Sequence, residues 1–295
     1  VTRPALQVRC PGKINWVLRI LGRREDGYHE LVTVFQAIDL WDLLEIRPGK
    51  RFELTCDDPS LPADSKNLVW KAAEALAEER GEPVPGAKVH LRKAIPEGGG
   101  LGGGSSDAAA ALVGLAAFWG WSLPGDRLVS IGSRLGADVP FFLHGGTALG
   151  LGKGDQVEPI PFAGEKHLLL GFPPVKISTE EVYRRWAGNL TPSGIDVSLG
   201  RLRALKLPEN KDFDFAVNDL EPVVFAGWGD LKRFREALMI EGAEHAMLSG
   251  SGSTVFGVFG DREGPERAAR KLAGRFPGWR LRGSRTIPGA VRLIR

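Results

Sequence analysis

Apolar residues recur with strand-like spacing from Lys13 to Ile20 and again from Glu30 to Ala37. The intervening GRREDGYH carries an Asp26-Gly27 turn signal, so the opening of the chain reads as a β-hairpin. The periodicity then changes. In SKNLVWKAAEALAEERG, Val69, Ala72, Ala73 and Leu76 share one helical face, Asn67 can cap the start and Gly81 ends the pattern. KVHLRKAIP alternates as a strand from Lys88 and stops at Pro96. A run of glycines follows, then the helical stretch SDAAAALVGLAAFW, for which Ser105, Ser106 or Asp107 is the expected N-cap.

A further helix is predicted over Asp126 to Leu135, closed by Gly136. Beyond it, ADVPFFLHGG is expected to pass into strands that turn at the glycines of ALGLGKGD. From about residue 155 the chain becomes rich in proline and apolar runs, and Ser178 to Glu181 has the spacing of a capping box. We therefore expect two domains, 1–150 and 151–295. The second half should add helices near Asp230 to Glu241 and Pro265 to Arg275, the strand-like MLSGSGSTVFGVF and a last basic strand pair. Strands and helices mixed without regular βαβ repetition indicate an α+β fold.

Composition narrows the function classes. The 295 residues are 43% hydrophobic, enough for a large core, and 39 basic side chains nearly balance 36 acidic ones for a net charge of +3. With no run of like charge, this balance suits an anionic small molecule better than a nucleic-acid backbone. The longest apolar stretch, Ala108 to Trp119, falls short of the roughly 20 residues that cross a bilayer. VTRPALQVRCPGK has no apolar secretion segment, and Cys10 and Cys56 lack zinc or CxxC spacing. The expectation is a cytoplasmic enzyme without membrane or nucleic-acid partners; no feature of the sequence specifies an oligomeric state.

The densest chemical signal is EGGGLGGGSSDAAAA, residues 97–111. Glycines that open a helix let backbone N–H groups approach an anion, and the helix dipole favours negative charge at that end. The string contains a G-x-G-x-x-G at Gly98, Gly100 and Gly103, but FWGWSL lacks the acidic ribose ligand of a dinucleotide site. No lysine follows the last glycine as a Walker loop requires, since Ser105 and Ser106 stand there, and protein-kinase HRD and DFG stretches are missing. A flexible linker would scarcely be flanked by a strand stop at Pro96 and a capped helix.

PEGGGLGGGSSDAAA resembles the phosphate-binding motif of the GHMP small-molecule kinases. PGKINWVLRILGRREDGYHEL and MLSGSGSTVFGVF resemble that family's N- and C-terminal motifs and occur in the expected order across nearly the whole chain. The resemblance implies a two-domain α+β fold with the active site in the cleft between a nucleotide-binding and a substrate-side domain. It also implies transfer of the ATP γ-phosphoryl group to an alcohol, with Mg2+ accompanying ATP. DGYHEL and LGADVPFF resemble members whose acceptor carries a cytidine diphosphate.

Carried onto this chain, the phosphate cradle is Gly98, Gly99, Gly100, Leu101, Gly102, Gly103, Gly104, Ser105 and Ser106, with Asn67 beside the adenine. Asp138 matches the catalytic aspartate and Lys13 the catalytic lysine, while Asn15, two residues on, faces the same side of a strand. Tyr28 and His29 are expected to stack on a pyrimidine and read its edge. Thr179, Gly250 and Gly252 are expected on the acceptor side. Ser106 is the metal-ligand candidate, because no acidic cluster has metal spacing. The basic WRLRGSRTIPGAVRLIR would suit an RNA-binding module, a reading that leaves DGYHEL, LGADVPFF and the glycine loop unexplained together.

Overall fold

The opening hairpin is longer than its apolar pattern indicates. In the computed structural model, which describes residues 4–186, 199–205 and 213–294, β1 (Leu6–Arg23) and β2 (His29–Arg47) pair antiparallel from Leu6 opposite Ile46 to Arg23 opposite His29. Register shifts between Pro11 and Gly12, Asn15 and Val17, and Ile20 and Gly22 bend this ribbon. There follow β3 (Phe52–Cys56), α1 (Leu68–Arg80), β4 (Ala87–Arg92), α2 (Gly103–Trp119), α3 (Gly125–Leu135), α4 (Val139–His144), β5 (Thr147–Gly152) and β6 (Gln156–Ile160). The chain continues through β7 (His167–Phe172), α5 (Thr179–Trp186), α6 (Leu199–Arg203), β8 (Val217–Asn218), α7 (Glu221–Gly227) and α8 (Gly229–Ile240). The last elements are β9 (His245–Leu248), β10 (Val255–Phe259), α9 (Gly264–Leu272), β11 (Arg280–Arg285) and β12 (Arg292–Ile294).

Among the described residues two sheets form. The first has the order β12-β1-β2-β4-β3, with β5 and β6 continuing from β2 and β8 joining β1; the second is antiparallel, in the order β11-β7-β10-β9. Alternation along the strands divides the apolar residues into three layers. Val8, Cys10, Leu44 and Ile46 pack under α1 and α2, and Leu169, Leu248 and Val255 pack under α5, α7, α8 and α9. Ile14, Trp16 and Val34 of the first sheet meet Leu168, Leu170, Phe256 and Val258 of the second. The order is helices, sheet, sheet, helices. No helix among the described residues is long and apolar enough to cross a membrane.

Three local expectations need correction. Helix α2 is capped by Gly102 in the left-handed region (φ 69°) and not by Ser105, Ser106 or Asp107. Asp107 instead spends its carboxylate on Lys93, and Ser106 is turned into the interior. VPFFLH, expected to lead into a strand, is the short helix α4, since proline costs little in a first helical turn where its missing N–H has no partner to lose. The basic strands at the end do not pair with each other: β11 joins β7 in the second sheet and β12 joins β1 in the first. The first sheet also keeps β6, through Ile160, before the chain enters the second at His167.

Candidate active site

Strand β1, the glycine loop before α2, the turn before α4, helix α5 and the β9–β10 loop converge on a cavity of about 990 Å³. Lys13 is buried at its floor. The Lys13 ammonium donates to Asn15 Oδ1 at 2.7 Å and to the Gly100 carbonyl at 2.8 Å, and lies 3.8 Å from Asp138 Oδ2. Burial lowers the pKa of Lys13 and the Asp138 carboxylate opposes that shift. Asn15 donates to Thr33 Oγ1 at 2.8 Å, and Thr33 donates in turn to the Val17 carbonyl at 2.7 Å. The amide is thereby fixed with its oxygen toward Lys13. Asp138 stands at the N-cap position of α4 with no side-chain capping bond, leaving its carboxylate, 31% exposed, free to face the cavity.

The glycine loop is shaped by backbone contacts. Gly98, Gly100 and Gly102 have φ of 68°, 74° and 69°, the left-handed region that glycine enters without strain. Ser253 N donates to Gly98 O at 3.3 Å and Thr254 N to Gly99 O at 3.1 Å, joining the two glycine loops. Ser249 Oγ donates to Gly100 O at 2.9 Å. A Cβ at Gly100 would fall 2.0 Å from the Ser249 carbonyl oxygen, so no other residue fits. Because no side chain caps α2, its first N–H groups remain available to an anion.

Away from the glycine loop, the His29 ring stacks on Tyr183 at 5.0 Å and 25° and meets Trp186 edge-on at 5.6 Å. Burial, then the neighbouring Arg23, lower the pKa of His29, and its Nε2 is buried without a protein partner. Tyr183 is shifted upward by burial and by Asp138. Tyr28 is 59% exposed at the hairpin turn, with the Lys153 ammonium 5.1 Å from its ring. The hydroxyls of Thr179 and Ser251 are 2.7 Å apart.

Lys13, Asp138, Asn67, Gly98, Gly99, Gly100, Gly102, Gly103, Gly104, Ser105, Asn15, Tyr28, His29, Thr179 and Gly250 all line the cavity. Asn67 also caps α1 by accepting from Val69 N at 2.9 Å. Leu101, Ser106 and Gly252 do not line it: Leu101 and Ser106 are fully buried, and Ser251 occupies the wall in place of Gly252. Sequence reasoning missed Tyr183, Lys153, Ser251 and Lys93. Tyr183 could have been found, since it lies four residues after Thr179 and shares its helical face. Among the described residues no three His, Cys, Asp or Glu side chains converge as a metal cage. The Ser106 hydroxyl, buried with no protein partner, is an isolated oxygen set away from the cavity.

Residues 67–146 match the model for the GHMP kinases N-terminal domain and residues 201–278 that for the GHMP kinases C-terminal domain. The class is thus that of the small-molecule GHMP kinases. The 4-diphosphocytidyl-2-C-methyl-D-erythritol kinase of Pelotomaculum thermopropionicum is 42% identical over 90% of this chain and 91% of its own. That of Geobacter sp. (strain M21) is 39% identical over 96% of this chain and 99% of its own. A crystal structure of 4-(cytidine 5'-diphospho)-2C-methyl-D-erythritol kinase superposes with a TM-score of 0.77 at 32% identity, covering 95% of this chain and 99% of that one. Within the GHMP kinases, the chain belongs to the 4-diphosphocytidyl-2-C-methyl-D-erythritol kinase family.

Proposed function

We propose that the protein transfers the γ-phosphoryl group of ATP to the 2-hydroxyl of 4-diphosphocytidyl-2-C-methyl-D-erythritol, giving the 2-phosphate and ADP. This would be a cytoplasmic step of the non-mevalonate route to isoprenoid precursors. The observation that carries the reading is the Lys13–Asp138 pair, 3.8 Å apart, sharing one cavity with the glycine loop and the His29–Tyr183 stack. Residues 1–150 supply the nucleotide cradle, and 151–295 complete the acceptor side through Thr179, Tyr183, Gly250 and Ser251.

The ATP phosphates lie against Gly98 to Gly104 and the first N–H groups of α2, with the adenine toward Asn67. The cytosine stacks beside His29 and Tyr183, and Lys153 offers a cation to the diphosphate. The acceptor hydroxyl sits between Lys13 and Asp138. Its oxygen forms the new bond to the γ-phosphorus as the bond from that phosphorus to the bridging oxygen breaks, and ADP leaves with the electron pair. Asp138 takes the hydroxyl proton. An ordinary carboxylate is a weak base, but a loose transition state releases the proton only late, as the new bond forms. The Lys13 ammonium favours the ionised carboxylate and offsets charge beside the attacking oxygen. Mg2+ would travel with ATP, and no step is assigned to it.

The test is phosphorylation of the purified protein's acceptor candidates in parallel. The diphosphocytidyl methylerythritol should be phosphorylated at the 2-position with stoichiometric ADP. Turnover of mevalonate or homoserine in its place would overturn the substrate assignment.

A further inference from the structure

The glycine loop enters at Lys93 and leaves at Asp107, and these two residues meet. The Lys93 ammonium donates to Asp107 Oδ2 at 2.6 Å and, on its other side, to Asp42 Oδ2. Asp42, from β2, also accepts from Ala94 N at 2.5 Å and Ile95 N at 2.8 Å through Oδ1. One carboxylate therefore holds both the Lys93 head and the two N–H groups that follow it on the way into the loop. All three side chains are buried, at 8%, 0% and 3% exposure for Lys93, Asp42 and Asp107. A Cβ at Gly103 would lie 3.3 Å from Lys93 Nζ, which puts the ammonium against the backbone where the loop becomes α2.

Such a cluster is a poor way to stabilise a fold. Two buried carboxylates share one ammonium, and apolar residues of the same volume often serve stability as well or better. The strain shows in the ionisation. Burial pushes the Asp107 pKa up against the pull of Lys93, and the Cys10 thiol, facing Asp107 from β1, is pushed well above its ordinary value by burial and by both carboxylates. What the cluster provides is geometry, because it fixes the two ends of a loop whose middle is held by the β9–β10 backbone and by Lys13 and Ser249 at the Gly100 carbonyl.

We propose that Lys93, clamped between Asp42 and Asp107, is a positioning residue for ATP: it ties the entry of the phosphate loop to its exit and so sets the spacing of the N–H groups that receive the phosphates. The proposal rests on the reading of this loop as the ATP cradle. A cluster with a merely structural role would change stability and leave nucleotide affinity alone.

The experiment compares the Kd of a non-hydrolysable ATP analogue by calorimetry, with steady-state constants and melting curves, for the wild type, Asp107→Asn, Asp107→Leu and the double variant Lys93→Met/Asp107→Leu. Asparagine keeps an oxygen for Lys93, so its Kd should stay within about threefold of wild type. In Asp107→Leu and the double variant the Kd should rise about tenfold or more, with kcat at saturating ATP and the acceptor KM within about threefold. Asp107→Leu leaves Lys93 paired with Asp42 alone; if it fails to fold, the double variant, in which Asp42 keeps its bonds from Ala94 N and Ile95 N, carries the comparison. Wild-type Kd in the double variant overturns the proposal, as does a loss in Asp107→Asn equal to that in Asp107→Leu. A wild-type protein that does not bind the analogue overturns the ATP reading beneath it, a separate result.

Discussion

The two sides of the cavity are made of different material. On the side proposed for the nucleotide, one contiguous stretch from Gly98 to Gly104 offers backbone and almost no side chain. On the side proposed for the acceptor, side chains gather from separate elements: Lys13 and Asn15 from β1, His29 from β2, Asp138 before α4, Thr179 and Tyr183 from α5, and Ser251 after β9. A wall of backbone is damaged by adding atoms and a wall of side chains by removing them.

The largest effect expected is on the acceptor side. Asp138→Asn should lower kcat by about 10²-fold or more while ATP-analogue binding changes less than about threefold. An active Asn variant would remove Asp138 from the role of base. Next comes addition on the nucleotide side: Gly100→Ala, with its φ of 74° and a clash 2.0 Å from Ser249 O, should raise the ATP KM at least tenfold, on the order of 1.4 kcal/mol, and lower the melting temperature. Gly104→Ala sharpens the contrast. Its Cβ would meet nothing closer than Leu68 Cδ1 at 3.7 Å, so melting should hold while the ATP KM still rises a few-fold. If Gly104→Ala binds ATP normally, the phosphates do not approach that part of the loop.

Smaller effects belong to the aromatic wall. Tyr183→Ala should raise the acceptor KM about tenfold through the lost stack, and Tyr183→Phe should restore it. Equal loss in both variants would mean that the hydroxyl matters and the ring does not. A last effect, on stability and not on turnover, concerns the sheet beneath this wall, where burial, and then Arg235, push His245 down to about 4. A histidine with a depressed folded pKa stabilises fully above its unfolded value and loses that contribution as pH falls through the folded one. Stability should therefore drop by about 2 kcal/mol between pH 7 and 5, and His245→Gln should flatten that slope in chemical denaturation.

The same difference in material decided what could be read from the sequence. The glycine loop and helix α1, bounded by Asn67 and Gly81, were legible because capping and left-handed turns are set by neighbours along the chain. The Lys13–Asp138 pair was legible only through its motifs, since nothing local joins residues on β1 and before α4. Tyr183, on α5, was missed because its stacking partner His29 comes from β2, more than 150 residues earlier in the chain. Asp107 was misread as a possible cap because Lys93 and Asp42, which claim its carboxylate, are brought together only by the pairing of β2 with β4. Helix α4 was misread because a short apolar run beginning Val-Pro satisfies both a strand and a first helical turn.

Strand β12 pairs Arg292 to Ile294 with Arg9 to Gln7, so the last strand of the chain covers the free edge of the first. The second sheet is thus built between β6 and β12 of the first, with only the short β8 returning to β1 on the way. Within residues 6–294 the sheet that holds Lys13 is opened by β1 and closed at that edge only by β12, on the far side of the second sheet in sequence. Any cut that frees the first half would leave the backbone of Gln7 to Arg9 bare, an open template for pairing with other chains.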